Sequence, residues 1–230
     1  RVGDPGLNGL DLLVHEAGHN LGMGHSQLLS WAPASTGPIQ DTAGATIFDG
    51  GDTYDPMGGS STPSHYNALH KSQIDWLDTD DVMSINGSGQ HWLEPLSKEK
   101  GGIKALKLYR GADSNGRKEF FWLETKGSEG FDGLVNAAGQ GTIHVHQQSE
   151  NTDTQTYLID ANPASPVSFD SPIQASQQLA DPFSGLTIAH MGVDPMGNVL
   201  VDISVQAGFS DADEDGVIES LELSVGTDPM

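Results

Sequence analysis

The amino-acid sequence predicts an α+β protein in three parts: a helical region over residues 1–83, an antiparallel β-sandwich over 84–207 and a short acidic segment over 208–230. Two observations support this prediction. Near the start of the chain, apolar residues recur every three or four positions, which is the period of a helix. From about residue 84, short runs of alternating apolar residues are separated by clusters of turn-forming residues, as in a sandwich of short strands.

The first predicted element is a helix over roughly residues 7–21. Either Asn8 or Asp11 is a candidate for its N-cap. His15 and His19 fall on one face of this helix. The opposite face is apolar and carries Leu10, Leu13, Val14, Ala17 and Leu21.

The segment HEAGHNLGMGH has the spacing of a metal site with its own base. Because His15 and His19 are four residues apart on a helix, both rings can bind a single ion. Gly22 tolerates a positive φ, so the chain can leave the helix sharply and bring back His25 as a third nitrogen ligand. Three neutral imidazoles with one open position are typical of catalytic zinc. Glu16 is predicted to be the base that accepts a proton from a metal-activated water.

Residues 32–53 are rich in Gly, Ala, Thr, Asp and Pro and are predicted to form a long loop beside this site. Asp49 and Asp52 are candidates for a calcium site in that loop. A solvated acidic loop is the interpretation that the surface preference of aspartate favours.

A second helix is predicted to begin near Ser64, because Pro63 and Ser64 are start signals. Tyr54 and Tyr66 lie near the site in sequence and are candidates for oxyanion support, but packing is the more usual role of a tyrosine ring. The buried stripe of this helix is predicted to comprise Tyr66, Leu69, Gln73, Ile74 and Leu77.

Seven strands are predicted in the second part, with hairpin turns at 111–116 and at 194–197. His144 and His146 share one face of a strand, where they either bind a second metal or form a satisfied polar face; the lack of a nearby third ligand favours the latter. The predicted strands are Gln90–Leu96, Ile103–Tyr109, Glu119–Thr125, Gly141–His146, Gln155–Asp160, Leu186–Val193 and Asn198–Val205.

The acidic segment contains DADEDGVIESLE, which has the spacing of a calcium-binding loop. Oxygen ligands recur at the positions that wrap a hard cation, and Gly216 stands at position 6, where the loop bends. An acidic flexible tail is the alternative. The predicted calcium ligands are Asp211, Asp213, Asp215, the backbone carbonyl of Val217, Glu219 and Glu222.

Composition restricts the class of protein. The net charge of −22, from 32 acidic and 10 basic residues, argues against binding to nucleic acid or to an anionic membrane, because both would be repelled. The sequence has no cysteine, so disulfides and thiolate chemistry are excluded. No apolar run approaches the roughly 18 residues that a membrane span needs. These properties indicate a soluble, secreted protein, although a generic solubility surface explains the charge equally well.

The zinc motif resembles that of the metzincin zinc peptidases. Together with His25-Ser26, the turn Asp55-Pro56-Met57-Gly58 and the segment QIDWL at 73–77, it is most similar to the gametolysin family. The resemblance implies that Met57 forms the Met-turn beneath the metal and that residues 1–83 are the C-terminal half of a catalytic domain. Since only fourteen residues precede His15, the upstream half would lie outside this chain. The calcium loop is similar to the thrombospondin type 3 repeats of secreted proteins.

The function predicted from these features is that of a secreted zinc metalloendopeptidase that also binds calcium. Its substrate would be a protein or peptide, with extracellular-matrix or cell-wall glycoproteins among the candidates. Two alternatives remain open: a calcium-dependent surface-binding or adhesion module with a vestigial protease site, and a zinc hydrolase that acts on a non-protein amide. The intact Glu16 argues against the vestigial site, because a degenerate site can lose its base and still bind metal.

Overall fold

The computed structural model describes residues 9–31, 45–60, 64–99, 101–112, 116–134, 137–149, 154–165 and 170–206. Within these residues the protein is α+β and consists mostly of strands. Its α-helices are α1 (Leu10–Asn20) and α2 (Ala68–Gln73). Its strands are β1 (Ser26–Trp31), β2 (Ala45–Phe48), β3 (Val82–Ile85), β4 (Gly89–Leu93), β5 (Ala105–Ala112), β6 (Lys118–Glu124), β7 (His144–Ser149), β8 (Thr156–Ile159), β9 (Gln178–Asp181), β10 (Leu186–Val193) and β11 (Val199–Val205). Short 3-10 helices lie at Thr79–Asp81, Gly130–Leu134 and Ala137–Gly139.

The strands form two sheets that share one hydrophobic core. The larger sheet has the order β2-β1-β8-β7-β6-β5-β3, and the smaller has the order β4-β11-β10-β9. Phe121 and Leu123 of the larger sheet belong to the same buried cluster as Val201 and Ile203 of the smaller one. This is the two-layer arrangement expected of a β-sandwich. The pairs β1–β8 and β3–β5 are parallel, so the larger sheet is mixed rather than purely antiparallel as predicted.

All seven predicted strands overlap observed ones, and β10 has the predicted bounds Leu186–Val193. The hairpin at 194–197 is confirmed, because it joins the antiparallel pair β10 and β11 and the N–H of Gly197 donates to the carbonyl of Asp194 at 2.9 Å. Four strands escaped prediction: β1, β2, β3 and β9. Nearly all of β1 is buried, so it lacks the alternation that marks a half-exposed strand.

The larger sheet runs across the predicted boundary between residues 83 and 84. β1 and β2 lie in the region predicted to be helical, yet β1 pairs with β8, more than 120 residues further along the chain. The loop predicted over 32–53 is therefore interrupted by β2, whose residues 45–48 pair with β1. The division of the chain into three parts stays a prediction, and the acidic segment over 208–230 lies outside the described residues.

α1 lies within the predicted helix but does not bury the predicted apolar face. The exposed fractions are 66% for Leu13 and 47% for Leu21, and Gly18 is the buried residue of the helix. Gly9, with φ 75°, is the N-cap, and Asp11 lies in the first turn; Asn8 is outside the described residues. α1 therefore packs on the protein through Val14, His15 and Gly18 rather than through its exposed leucines.

α2 begins at Ala68, four residues after the predicted start. Asn67 is the N-cap, because its side chain accepts a hydrogen bond from the N–H of His70 at 2.8 Å. Tyr66 and Leu69 are buried as predicted, whereas Gln73 is exposed. The N–H of Ala68 donates to the carboxylate of Glu124 in β6, which fixes the helix on the larger sheet.

A buried arginine joins the two sheets. Arg110 of β5 lies 2.9 Å from Glu119 of β6 and 2.9 Å from Asp181 of β9, and its guanidinium stacks between Phe121 and Phe183. Two carboxylates pair with the guanidinium and two aromatic rings cover its faces, so its charge is buried but not unpaired. Among the described residues, no helix has the length and apolar character needed to cross a membrane.

Candidate metal centre

Three histidine rings converge at the end of α1. His15 and His19 lie one helical turn apart, and His25 directly precedes β1. The ring centroids are 4.8 Å apart for His15–His19, 5.3 Å for His15–His25 and 5.0 Å for His19–His25. One nitrogen of each ring lies within 4.8 Å of the other two, which is close enough for a single ion to bind all three.

The turn after α1 brings His25 back to the helix. Gly22 adopts φ 89°, as its predicted role requires, and the N–H of Met23 donates to the carbonyl of Gly18 at 3.0 Å. The N–H of Ser26 then donates to the carbonyl of Met57 at 2.9 Å. The position of His25 is therefore set by the helix end on one side and by the turn that contains Met57 on the other.

Backbone carbonyls orient the two helical histidines. Nδ1 of His15 lies 2.7 Å from the carbonyl oxygen of Pro56, and Nδ1 of His19 lies 3.0 Å from that of Met23. A carbonyl oxygen only accepts hydrogen bonds, so each Nδ1 must carry the proton. In the neutral ring Nε2 is then unprotonated and free to bind a metal, which is the arrangement found around metal-bound histidines.

The donor set fits a transition-metal ion. Imidazole nitrogens suit zinc, copper, iron and nickel, and three such ligands leave an open coordination position on a tetrahedral ion. Within the described ranges, His15, His19 and His25 are the group of His, Asp and Glu residues that meets the distance required of a metal site. The chemistry of the site thus agrees with the sequence-predicted ligands.

Glu16 lies beside the histidines on an open cavity of about 300 Å³. His15, His25 and Met57 also line this cavity, together with the acidic residues Asp11 and Asp49. The Glu16 side chain is exposed, so its carboxylate is accessible to water and to a ligand in the cavity. Glu16 thus shares this cavity with two of the three histidines.

Met57 packs under α1 without any exposed surface. It forms a small apolar cluster with Met23 and Tyr66, and it contacts Gly18, the residue before His19. A Cβ placed at Gly18 would lie 2.2 Å from the Met57 sulfur, so a larger residue at position 18 would require the Met57 side chain to shift. Met57 thus lies directly beneath the helix that carries His15 and His19.

Asp55 stabilises the turn around Met57. The sequence did not identify it as a site residue. Its carboxylate is fully buried, and it accepts hydrogen bonds from the N–H of Met57 at 2.6 Å and from the N–H of Asn67 at 2.5 Å. His70 lies 3.5 Å away. An aspartate directly before Pro-Met-Gly is a turn signal, because its side chain can bond the backbone two residues on.

Asp52 is a buried structural anchor, contrary to the interpretation of a solvated loop. It accepts hydrogen bonds from Ser26 at 2.8 Å, from His146 at 2.9 Å and from the N–H of Tyr54 at 2.9 Å. Burial opposes the ionisation of Asp52, but the bond to His146 and the other donors outweigh it and lower its pKa to about 2. Protein donors thus occupy its oxygens, which argues against the alternative of calcium binding at Asp49 and Asp52.

His144 and His146 are both buried and form separate hydrogen bonds. Nε2 of His144 donates to the carbonyl of Gly139 at 2.9 Å, whereas His146 pairs with Asp52. Burial lowers the pKa of His144 to about 4. For His146, burial also opposes protonation, but the bond to Asp52 prevails and raises the pKa. Each ring is thus satisfied at Nε2, but Nδ1 of both is buried without a hydrogen-bond partner among the described residues, so the predicted polar face is satisfied only in part.

Both candidate tyrosines are buried, and neither is among the residues that line the cavity beside Glu16. The hydroxyl of Tyr66 donates to the carbonyl of Val14 at 2.7 Å, which ties α1 to the turn before α2. Tyr54 is buried, with its ring centroid 4.7 Å from that of His144. Both therefore serve packing, as predicted.

The six predicted calcium ligands, between Asp211 and Glu222, lie outside the described residues. Comparisons of the chain with protein-family models, with curated proteins and with solved structures return no match.

Proposed function

We propose that this protein is a secreted zinc-dependent endopeptidase of the metzincin type, similar to gametolysin. The observation that carries the proposal is the convergence of three imidazoles, of which His15 and His19 present unprotonated Nε2 atoms, beside the exposed Glu16 on an open cavity. Met57, packed under α1, supports the same assignment. In this proposal residues 1–83 belong to a catalytic domain and residues 84–207 to a trailing β-sandwich.

His15, His19 and His25 would hold the zinc ion. Once bound, zinc supplies Lewis acidity, which lowers the pKa of water to about 7 and polarises a peptide carbonyl. Glu16 accepts the proton of the attacking water and then delivers it to the leaving amine, so one carboxylate acts first as base and then as acid. The carbonyls of Pro56 and Met23 keep the two helical rings in the required tautomer throughout.

The negative charge and the calcium loop support an extracellular location. With a net charge of −22, the chain favours soluble protein or peptide substrates over nucleic acid or anionic membranes. The loop that contains Asp211 and Glu222 would bind calcium, a cation for which its oxygen ligands and its bend at Gly216 are suited.

The test compares Glu16→Gln with Asp11→Asn. Both exchange a carboxylate of the same cavity for an amide of similar shape, but only Glu16 is the proposed base. Cleavage of casein and gelatin should require zinc, stop with a chelator and fall by about 10²–10⁴-fold in Glu16→Gln, which removes general acid–base catalysis. Asp11→Asn should retain activity, and zinc content should be unchanged in both.

Cleavage that survives in Glu16→Gln would contradict the mechanism. A wild-type protein that binds zinc yet cleaves neither substrate would favour the adhesion module with a vestigial site. Hydrolysis of a small amide, without cleavage of casein or gelatin, would favour the zinc hydrolase that acts on a non-protein amide.

A further inference from the structure

The three histidines of the metal centre differ in what faces Nδ1. His15 and His19 each face a backbone carbonyl, at 2.7 and 3.0 Å. Nδ1 of His25 instead lies 3.5 Å from Oδ1 of Asp49. This distance is that of an ion-pair contact and is longer than a well-formed hydrogen bond. A side chain, rather than the backbone, therefore supplies the negative partner of the third ring.

The strand pairing explains why these two residues meet. β1 begins one residue after His25 and β2 ends one residue before Asp49, and the two strands are antiparallel, with Leu28 opposite Phe48. At the end of this strand pair, residues 25–27 therefore lie beside residues 49–50. A shift in register would move Asp49 away from the ring, so its position is a consequence of the sheet.

Gln27 holds the Asp49 carboxylate in place. Nε2 of Gln27 donates to Oδ1 of Asp49 at 3.1 Å, and Oε1 of Gln27 accepts from the N–H of Gly50 at 2.9 Å. Gln27 is 5% exposed and belongs to β1, so the sheet holds its side chain in position. The carboxylate that faces His25 is thus bonded at the same oxygen to a buried side chain, although 82% of the Asp49 side chain is exposed.

We propose that Asp49 is the positioning residue that fixes the tautomer and ring orientation of His25, with Nδ1 protonated and Nε2 free for the metal. A carboxylate beside Nδ1 favours the proton on that nitrogen, and such partners of metal-binding histidines raise the basicity of the ligand. The inference rests on the proposed metal centre. Asp49 acts through His25 and has no part in the bond-making steps.

The first measurement is zinc affinity of the full 230-residue chain, determined by competition with a chromophoric chelator. Loss of an outer-shell partner costs about 10- to 100-fold in metal affinity, and the exposure of Asp49 places Asp49→Ala near the lower figure. Asp49→Asn keeps an acceptor oxygen and should lie between Asp49→Ala and wild type. Asp49→Glu restores the charge and should recover part of the loss.

Asp11→Asn is the matched control, because it removes one negative charge from the same cavity without touching His25. It should bind zinc within about twofold of wild type, since Asp11 is half-buried at an open cavity, where water screens its charge. An equal loss of affinity in Asp11→Asn and Asp49→Ala would overturn the inference. The loss would then come from removing any negative charge of the cavity rather than from removing the contact with His25.

The second measurement is the tautomer of His25 in the metal-free protein, from the ¹⁵N shifts of the ring in mildly alkaline buffer, because these shifts distinguish the two neutral forms of an imidazole. The ring signal that is lost in His25→Gln is assigned to His25. Wild type should show the Nδ1–H form, and Asp49→Ala should move towards the Nε2–H form. An unchanged tautomer in Asp49→Ala would overturn the inference.

The two measurements separate this inference from the proposed function. If wild type binds no zinc, the peptidase proposal fails, while the tautomer of the metal-free ring still decides the role of Asp49. If wild type binds zinc and Asp49→Ala changes both readouts but no substrate is cleaved, the inference holds and the peptidase proposal fails.

Discussion

Gly18 of α1 and Met57 of the underlying turn touch so closely that a Cβ at residue 18 would lie 2.2 Å from the Met57 sulfur. Gly18→Ala should therefore destabilise the protein by about 1–3 kcal/mol, since overpacking outweighs the roughly 1 kcal/mol that alanine gains over glycine in a helix. Because residue 18 stands between His15 and His19, the affinity for zinc in the proposed site should fall as well. Urea unfolding and zinc titration would measure both effects.

A double-mutant cycle tests the cause of that loss. Met57→Ala alone should cost about 2–5 kcal/mol through the cavity that it leaves. Once the Met57 side chain is gone, adding Gly18→Ala should be neutral or stabilising, so the two effects should not add. Additive losses would show that the contact between these two residues is not the reason.

Asp55→Ala should destabilise the turn under the metal centre by about 2–5 kcal/mol, because it leaves two buried backbone N–H groups, those of Met57 and Asn67, without their acceptor. Asp55→Asn keeps one acceptor oxygen and should lose less. Chemical unfolding would give both values. Equal stability of Asp55→Ala and wild type would contradict the role assigned to this carboxylate.

The pair Asp52–His146 should make stability depend on pH. The pKa of His146 is raised above 6.5, so its contribution is present below pH 6.5 and lost as the pH rises through the raised value. The pKa of Asp52 is lowered from 3.8 to about 2, so its contribution is present above pH 3.8 and lost as the pH falls towards 2. His146→Gln should cost about 3–5 kcal/mol at about pH 5.5, and less at about pH 8.5.

His144 is the matched control, because it lies two residues away on β7 and its pKa shifts the other way. Burial lowers the pKa of His144 from 6.5 to about 4, so its contribution is present above pH 6.5 and lost as the pH falls. The cost of His144→Gln should therefore grow from pH 5.5 to 8.5, whereas that of His146→Gln shrinks. The same trend in both variants would contradict these directions.

Zinc and calcium should stabilise the protein independently. A ligand present at about 100 times its Kd adds about 2.7 kcal/mol to the folded state. His25→Ala should abolish the rise in Tm with zinc but leave that with calcium, and Glu222→Gln should do the reverse. Differential scanning calorimetry with each ion would show this, and a calcium effect that survives in Glu222→Gln would contradict the predicted loop.

Much of the fold follows from local patterns. α1 and the seven predicted strands come from periodicity, which depends on neighbouring residues alone. β1 was missed because it is almost wholly buried and pairs with β8, far away in the chain, and β2 was missed because it is an edge strand that pairs, among the described strands, only with β1. The exposed leucines of α1 show the same limit of local patterns. An apolar stripe predicts that one face of a helix is apolar, but not which part of the protein packs on it.

The sequence by itself determined which atoms can hold a metal: two histidines one helical turn apart, a glycine at which the chain can turn, and a third histidine after it. Only the tertiary structure decided how those rings are oriented. Their Nδ1 partners are the carbonyl of Pro56, the carbonyl of Met23 and the carboxylate of Asp49. Pro56 and Asp49 reach the site through the turn at Met57 and the pairing of β1 with β2, and such long-range placement depends on packing and register rather than on residue spacing.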